Sequence, residues 1–232
     1  MKNNKPLGGR SYGSIPHLIG SKLGEHDKNL HEGQHNILTK KSRDKHDVIY
    51  VTEKYDGSNV AIAKVDGKII AITRSGYLAS TSPYDTHHAF DYWVKKNSYM
   101  LSMVVPNNHR LCCEWMHKRH SLSYDYLMNT QDELIVCFDL INNNDKRRLS
   151  YRQFFSMDTG TIAKPRLIHI GNPIQAKDLI TDLNAKDYNH KIICREIPEG
   201  MVYRCERKGE FDFMGKWVRD DFEAGKYLDL NR

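Results

Sequence analysis

One stretch limits the fold more than any other: a strand, a two-residue turn and a strand that returns. Val60-Ala-Ile-Ala-Lys-Val65 is an apolar, β-prone run, Asp66-Gly67 is a strong hairpin signal, and Lys68-Ile-Ile-Ala-Ile-Thr73 leads back. A pair joined this tightly is antiparallel. Further strand-like runs fall at residues 48–52, 110–115, 133–140, 168–170, 200–206 and 214–219, and Ile192-Ile-Cys194 is another strand-sized apolar run. Helical periodicity lies between them. Residues 82–97 carry Pro83 near the start and Ala89, Phe90, Trp93 and Val94 on one face. Residues 34–45, 149–157 and 174–183 read as shorter helices, the last opened by Pro173. The expected class is α+β, antiparallel sheets with inserted helices, in a single domain spanning residues 1–232.

The formal net charge is +6, and +5 of it lies in residues 1–46, where nine Lys and Arg face four acids. This basic segment is poor in periodic apolar residues and is expected to be loop-rich. Its charge fits either a polyanionic partner or a solvated face. No run of about 18 apolar residues is present, which excludes a helical membrane span. The start of the chain, MKNNKPLGGRSYG, has no apolar signal core. Five cysteines, at 112, 113, 137, 194 and 205, form no C-x-x-C pair and read as buried thiols of a reducing, cytoplasmic setting. His117 and His120 follow Cys112-Cys113 at a spacing that matches no common zinc site.

The sharpest chemical signal is Glu53-Lys54-Tyr55-Asp56-Gly57-Ser58-Asn59, set between a strand and the hairpin. Alone it reads as a β-turn with Asp-Gly at its corner and an exposed lysine. Five other segments change that reading. Thr73-Arg74-Ser75-Gly76 closes the hairpin, and Leu111-Cys-Cys-Glu114-Trp115 is an apolar strand that carries a glutamate near its end. Val136-Cys137-Phe138-Asp139 presents an aromatic ring, Pro198-Glu199-Gly200-Met201-Val202-Tyr203-Arg204 a carboxylate before a glycine, and Gly215-Lys216-Trp217-Val218-Arg219 two late cations.

In this order the six elements resemble the motifs of the covalent nucleotidyltransferase superfamily, the polynucleotide ligases and mRNA capping enzymes. The resemblance is nearest to ATP-dependent RNA ligases of phage and bacterial type, several of which have a leader similar to Arg10-Ser-Tyr-Gly-Ser-Ile-Pro-His-Leu-Ile-Gly20. It implies the adenylyltransferase domain of those ligases, with Lys54, Glu199 and Lys216 as catalytic residues. Glu53, Arg74, Glu114, Phe138, Lys216 and Arg219 would bind the nucleotide, and Glu199 a divalent metal, Mg²⁺ or Mn²⁺.

The chemistry of each residue suits its implied role. A lysine is a nucleophile only after losing its proton, which neighbouring cations such as Lys216 and Arg219 favour. The Arg74 fork matches phosphate oxygens or ribose hydroxyls. Glu114, closing an apolar strand, needs a polar partner, and the resemblance offers the ribose hydroxyls. Phe138 reads as a core aromatic on sequence alone, and the resemblance stacks the purine on it. Lys216 and Arg219 are three apart where the family usually spaces its two cations by two, so strand alternation separates them unless a bulge intervenes. Asp56 and Gly57 are expected only to shape the turn that presents Lys54. Arg147-Arg148, in the polar loop of residues 142–148, reads as solvated.

The implied activity joins RNA 5′-phosphate and 3′-hydroxyl ends through a lysine–AMP intermediate and an adenylylated RNA end. ATP, Mg²⁺ and RNA ends are the implied ligands, in a bacterial or phage-infected cell, with a separate protein as a possible supplier of end-binding or repair functions. DNA ligases and capping enzymes normally append an OB-fold after the last motif. Thirteen residues follow Arg219, so the expectation is a stripped domain without one. A small ATP-dependent DNA ligase or a capping-type guanylyltransferase is the alternative within the superfamily. A catalytically inactive nucleic-acid-binding module is the alternative outside it, and the joint presence of Lys54, Glu114, Glu199 and Arg74 argues against that. Residues 1–46, through Lys40, Lys41, Arg43 and Lys45, are expected to grip RNA.

Overall fold

The computed structural model describes residues 5–117, 120–126 and 135–227. They form two compact units, one of residues 5–13, 57–117 and 135–164, the other of residues 14–56, 120–126 and 165–227. In chain order the elements are α1 (Glu32–Thr39), β1 (Asp47–Lys54), β2 (Ser58–Val65), β3 (Lys68–Thr73), α2 (Asp85–Lys96), α3 (Ser98–Val104), β4 (His109–Trp115), β5 (Tyr124–Tyr126), β6 (Ile135–Asn142), α4 (Tyr151–Ser156), β7 (Leu167–Gly171), α5 (Ile180–Asn184), β8 (Ile192–Cys194), β9 (Gly200–Arg207) and β10 (Glu210–Val218). Every pairing of these strands is antiparallel, and the class is α+β, as expected. No described helix is long and apolar enough to cross a membrane.

The first unit is built on the sheet β3-β2-β4-β6. Asp66 (φ 48°) and Gly67 (φ 77°) both take the left-handed conformation that a two-residue turn between twisted strands demands. One sheet face buries Val60, Ile62, Leu111, Cys113 and Trp115 beneath Phe90, Trp93 and Val94 of α2 and Leu101 of α3. Alternation sends Ala61, Ala63, Ile72, Cys112 and Glu114 to the other face. Residues 9–12 lie along this unit: Ser11 N donates to Arg74 O (3.0 Å) and Arg110 Nε to Ser11 O (2.7 Å). Gly76, at φ 94°, has the Gly9 carbonyl where a Cβ would stand, so no side chain is possible there.

The second unit carries the sheet β10-β9-β1-β7 and the short pair β5-β8. Its core face holds Ile49, Val51, Met201, Tyr203 and Cys205, packed on Leu18, Leu30, Leu38, Leu179 and Leu183. Residues 16–18 extend the sheet beyond β10, with Lys216 N donating to Pro16 O (2.9 Å) and Leu18 N to Lys216 O (2.8 Å).

Several boundaries differ from expectation. α1 ends at Thr39 rather than 45, because the amides of Lys40 and Lys41 both return to Asn36 O and Asp47 Oδ2 captures Arg43 N (2.8 Å). α4 starts at Tyr151, where Ser150 and Gln153 form a capping box. Residues 174–183 divide into a 3₁₀ turn, Ala176–Leu179, and α5. α3 and β5 were not expected; α3 is held by the buried Leu101. Residues 133 and 134 of the expected strand lie outside the described residues.

Candidate active site

Lys54 is the last residue of β1 and stands opposite Gly200, the first of β9. Its Nζ lies 2.5 Å from Oε2 of Glu199, the residue before that glycine. Glu199 is buried, at 7% exposure. Burial pushes its carboxyl above the ordinary carboxylate range, and the charge of Lys54 opposes that push. The local sequence explains the closeness. A Cβ at Gly200 would run into the Trp217 carbonyl, so only glycine lets β9 and β10 close together beside Lys54.

The turn after Lys54 is pinned as the Asp-Gly sequence suggested. Asp56 Oδ2 accepts the amides of Ser121 (2.7 Å) and Leu122 (3.2 Å), and Asp56 N donates to the Tyr124 hydroxyl (2.8 Å). Gly57 leads into β2, where a Cβ would come within 2.7 Å of Trp115 O.

Register places Lys216 on the same sheet face as Lys54: Lys216 and Thr52 both stand opposite Val202, two positions from Gly200. Lys216 Nζ lies 3.3 Å from Asp27 Oδ1. Burial draws its ammonium below the ordinary lysine range, Asp27 pulls it back up and Lys54 adds to the lowering. The register shift in the β9–β10 pairing falls between Phe211 and Phe213, so no bulge separates Lys216 from Arg219. Arg219 accordingly lies past the strand end, with Nε donating to Pro198 O (3.1 Å) and Nη1 2.7 Å from Asp221 Oδ1. Its amide donates to Glu199 O (3.1 Å), so its backbone, rather than its guanidinium, adjoins the Lys54 partner.

Glu53 points to the opposite face from Lys54. Its Oε2 accepts Arg166 Nε (2.8 Å), and Arg166 also donates to Asp182 O (2.9 Å) and Leu183 O (2.6 Å). Burial pushes the Glu53 carboxyl up, with Arg166 opposing. Its Oε1 has no hydrogen-bond partner. Arg166 carried no sequence signal; it follows Pro165 in a segment read as loop.

The first unit holds the other three expected residues. Arg74 is exposed in the turn after β3, and Glu114 is half-buried opposite Asn59 on the face away from the core. Phe138 sits where β6 shifts register: Cys112 pairs with Asp139 and Cys113 with Cys137, leaving Phe138 as the extra residue of a bulge. The half-buried Phe138 ring meets Tyr12 edge-on at 5.1 Å. Tyr12 OH reaches Asp139 Oδ2 (3.3 Å), which Arg148 Nη1 also contacts, while that guanidinium lies 4.7 Å from the Tyr12 ring centre. Arg148 is therefore not solvated, as its polar loop suggested; it is tied to a carboxylate with no exposure. His117 stacks on Trp115 at 5.5 Å, and no cluster of metal-ligating side chains occurs among the described residues. All five cysteines are buried thiols, none of them in a disulfide.

The profile of the RNA ligase family matches residues 47–218. The chain belongs to the RNA ligase family. Among solved structures it resembles a mutant RNA ligase from Naegleria gruberi with ATP and Mn, at 17% identity and TM-score 0.52, covering 88% of this chain and 59% of that one. A second mutant of that ligase, with AMP and Mn, gives 16% identity, TM-score 0.52 and the same coverage of 88% and 59%. An archaeal ATP-dependent RNA ligase gives 21% identity and TM-score 0.51, covering 74% of this chain and 42% of that one. The chain thus spans about three fifths of the Naegleria ligase. No curated protein matches it.

Proposed function

We propose that this chain is the adenylyltransferase domain of an ATP-dependent RNA ligase. The observation that carries the reading is the Lys54–Glu199 pair at the end of β1, with Lys216 on the same sheet face. Lys54 Nζ, having given up a proton, attacks the α-phosphorus of ATP. A P–N bond forms, the bond to the bridging oxygen breaks, and pyrophosphate leaves. AMP then passes to an RNA 5′-phosphate, and a 3′-hydroxyl displaces it as the phosphodiester forms.

Glu199 receives or orients the Lys54 proton. Lys216 sets its positive charge against the non-bridging phosphate oxygens. For Phe138, Glu114 and Arg74, which belong to the first unit, the family resemblance implies the purine, the ribose hydroxyls and phosphate or ribose oxygens as partners. Glu53, buried against Arg166, supports the strand that presents Lys54, leaving only its backbone to meet the nucleotide. Arg219 acts through its amide at Glu199 O. A divalent ion suits this donor set: Mg²⁺ is commonly held by one or two carboxylates together with substrate phosphates, and Glu199 supplies one carboxylate. Bound there, it would neutralise phosphate charge. The matched Naegleria ligase structures contain ATP or AMP with Mn, which supports the choice of ligands.

Incubation with α-labelled ATP and Mg²⁺, followed by denaturing electrophoresis, tests the reading. Label should stay on the protein and vanish in Lys54→Ala. Label that persists in that variant, or arrives only from GTP, would overturn the assignment.

A further inference from the structure

We propose that Asp27 and His17 form a positioning pair that keeps Lys216 charged and aimed across the sheet face that carries Lys54. The inference rests on the adenylylation reading above and adds two residues to it.

The pair is built, rather than incidental. Asp27 uses both carboxylate oxygens: Oδ1 lies 3.3 Å from Lys216 Nζ, while Oδ2 accepts Gly24 N (3.0 Å) and lies 3.0 Å from His17 Nε2. The turn that aims it is closed by a second bond, Asp27 N to Gly24 O (3.1 Å). His17 is 2% exposed. Its Nδ1 lies 2.8 Å from Ser21 Oγ, which accepts Val218 N (2.9 Å). With the Ser21 hydroxyl donating to Nδ1, the ring proton sits on Nε2, which lies close to Asp27 Oδ2 without the alignment of a hydrogen bond. Burial and the charge of Lys216 hold His17 below the ordinary histidine range, consistent with a neutral ring.

The backbone fixes the same geometry. His17 bridges to Lys216 on one side and to Asn29 on the other, and Leu30 N donates to His17 O (2.7 Å). The residue that steadies Asp27 is therefore locked to the strand whose lysine Asp27 holds.

A device of this kind answers a specific difficulty. The charged groups facing Lys216 are Asp27, Lys54 and Glu199, with neutral His17 behind Asp27. Burial and Lys54 both favour loss of the Lys216 proton, and a neutral amine offers phosphate no charge. Asp27 is the carboxylate in direct contact that opposes this loss.

The test is the single-turnover rate of Lys54 adenylylation against pH, on the full chain with labelled ATP and Mg²⁺. The wild-type rate should fall on the alkaline side as Lys216 loses its proton. Asp27→Asn should move that fall to lower pH by about half a unit, a roughly threefold loss on the alkaline limb, the size a part-exposed ion pair supports. Lys216→Arg should abolish the alkaline fall, because a guanidinium does not titrate there, and adding Asp27→Asn to it should then shift nothing. An Asp27→Asn profile scaled down equally at every pH would mean a merely structural residue and overturn the proposal. So would an alkaline fall that persists in Lys216→Arg, a variant that leaves Asp27 in place and does not depend on how Asp27→Asn folds. Wild-type protein that forms no adduct at all would instead remove the adenylylation reading on which the proposal rests.

Discussion

Lys54 Nζ and Glu199 Oε2 stand 2.5 Å apart across the first antiparallel pair of the second unit's central strands. Seen from Lys54, the carboxylate steadies an ammonium that, in the proposed mechanism, becomes an amine before it attacks. Seen from Glu199, burial already favours the protonated acid. The ion pair keeps the proton on lysine, while burial favours its transfer to glutamate, the direction that a nucleophilic lysine requires.

Replacing Glu199 with Gln should separate chemistry from folding. The amide keeps the side chain's shape but takes no proton, so adenylylation should fall by about 100-fold or more. Melting should stay near wild type, since burial disfavours the ionised carboxyl anyway. Single-turnover labelling and calorimetry on the same sample decide the point. Full-rate labelling would make the carboxylate structural.

Gly200 is predicted to tolerate no side chain. In Gly200→Ala the new methyl meets the Trp217 carbonyl, which is backbone and can yield only if β9 and β10 separate. The expected cost is about 2–3 kcal/mol, with adenylylation abolished as Lys54 and Lys216 move apart. Gly13→Ala is the control: nothing lies within 4 Å of its Cβ position, and its stability should change by less than about 0.5 kcal/mol. Equal melting of the two variants would refute the packing argument.

Glu53→Gln should reveal the direction of that residue's titration. Burial raises the folded-state pKa of Glu53 above its unfolded value. A group shifted this way contributes its stability below the unfolded pKa of about 4.3 and loses it as pH rises through the folded value. The glutamine variant does not titrate, so its melting temperature relative to wild type should improve steadily from pH 4 towards neutrality. Thermal melts at a series of pH values test this. A gap that widens the other way would mean that the Arg166 ion pair outweighs burial.

Much of this was legible from residue order, because strand motifs fix both identity and face. The hairpin of residues 60–73 and the antiparallel class follow from strand patterning and the Asp-Gly turn, while the placement of Lys216 near Lys54 was implied by the family resemblance. Alternation along the strand separated Arg219 from Lys216. What was not legible depends on long-range contact. Arg148 looks like a loop cation in the sequence, and only the fold shows it paired with the buried Asp139 and bonded to Tyr12, 136 residues away. The bulge that turns Phe138 towards Tyr12 has no sequence mark, since one extra residue in a strand changes no composition. The start of α4 does carry a sequence mark, since Ser150-x-x-Gln153 is a capping-box pattern.

The basic N-terminal segment divides into residues with structural work and residues free for a partner, which gives the last prediction its form. Arg43 is committed to Asp47, whose side chain is fully buried, and to Asp212, while Arg207 shares Asp47 from the other side. Lys40, Lys41 and Lys45 are exposed. Arg43→Ala should therefore cost about 1–2 kcal/mol of stability by taking charge-assisted bonds from a buried carboxylate. The triple Lys40→Ala, Lys41→Ala, Lys45→Ala variant should melt like wild type. If these lysines grip RNA, removing each phosphate-binding charge flattens the slope of log affinity against log salt by about 0.7 for a single strand, or about 2 for all three. Adenylylation consumes only ATP and should persist in the triple variant, while joining of RNA ends declines. Salt-dependent RNA binding, melting and adduct formation on the two variants separate the roles. A triple variant that binds RNA with an unchanged salt slope would show that the positive charge of this segment serves only solvation.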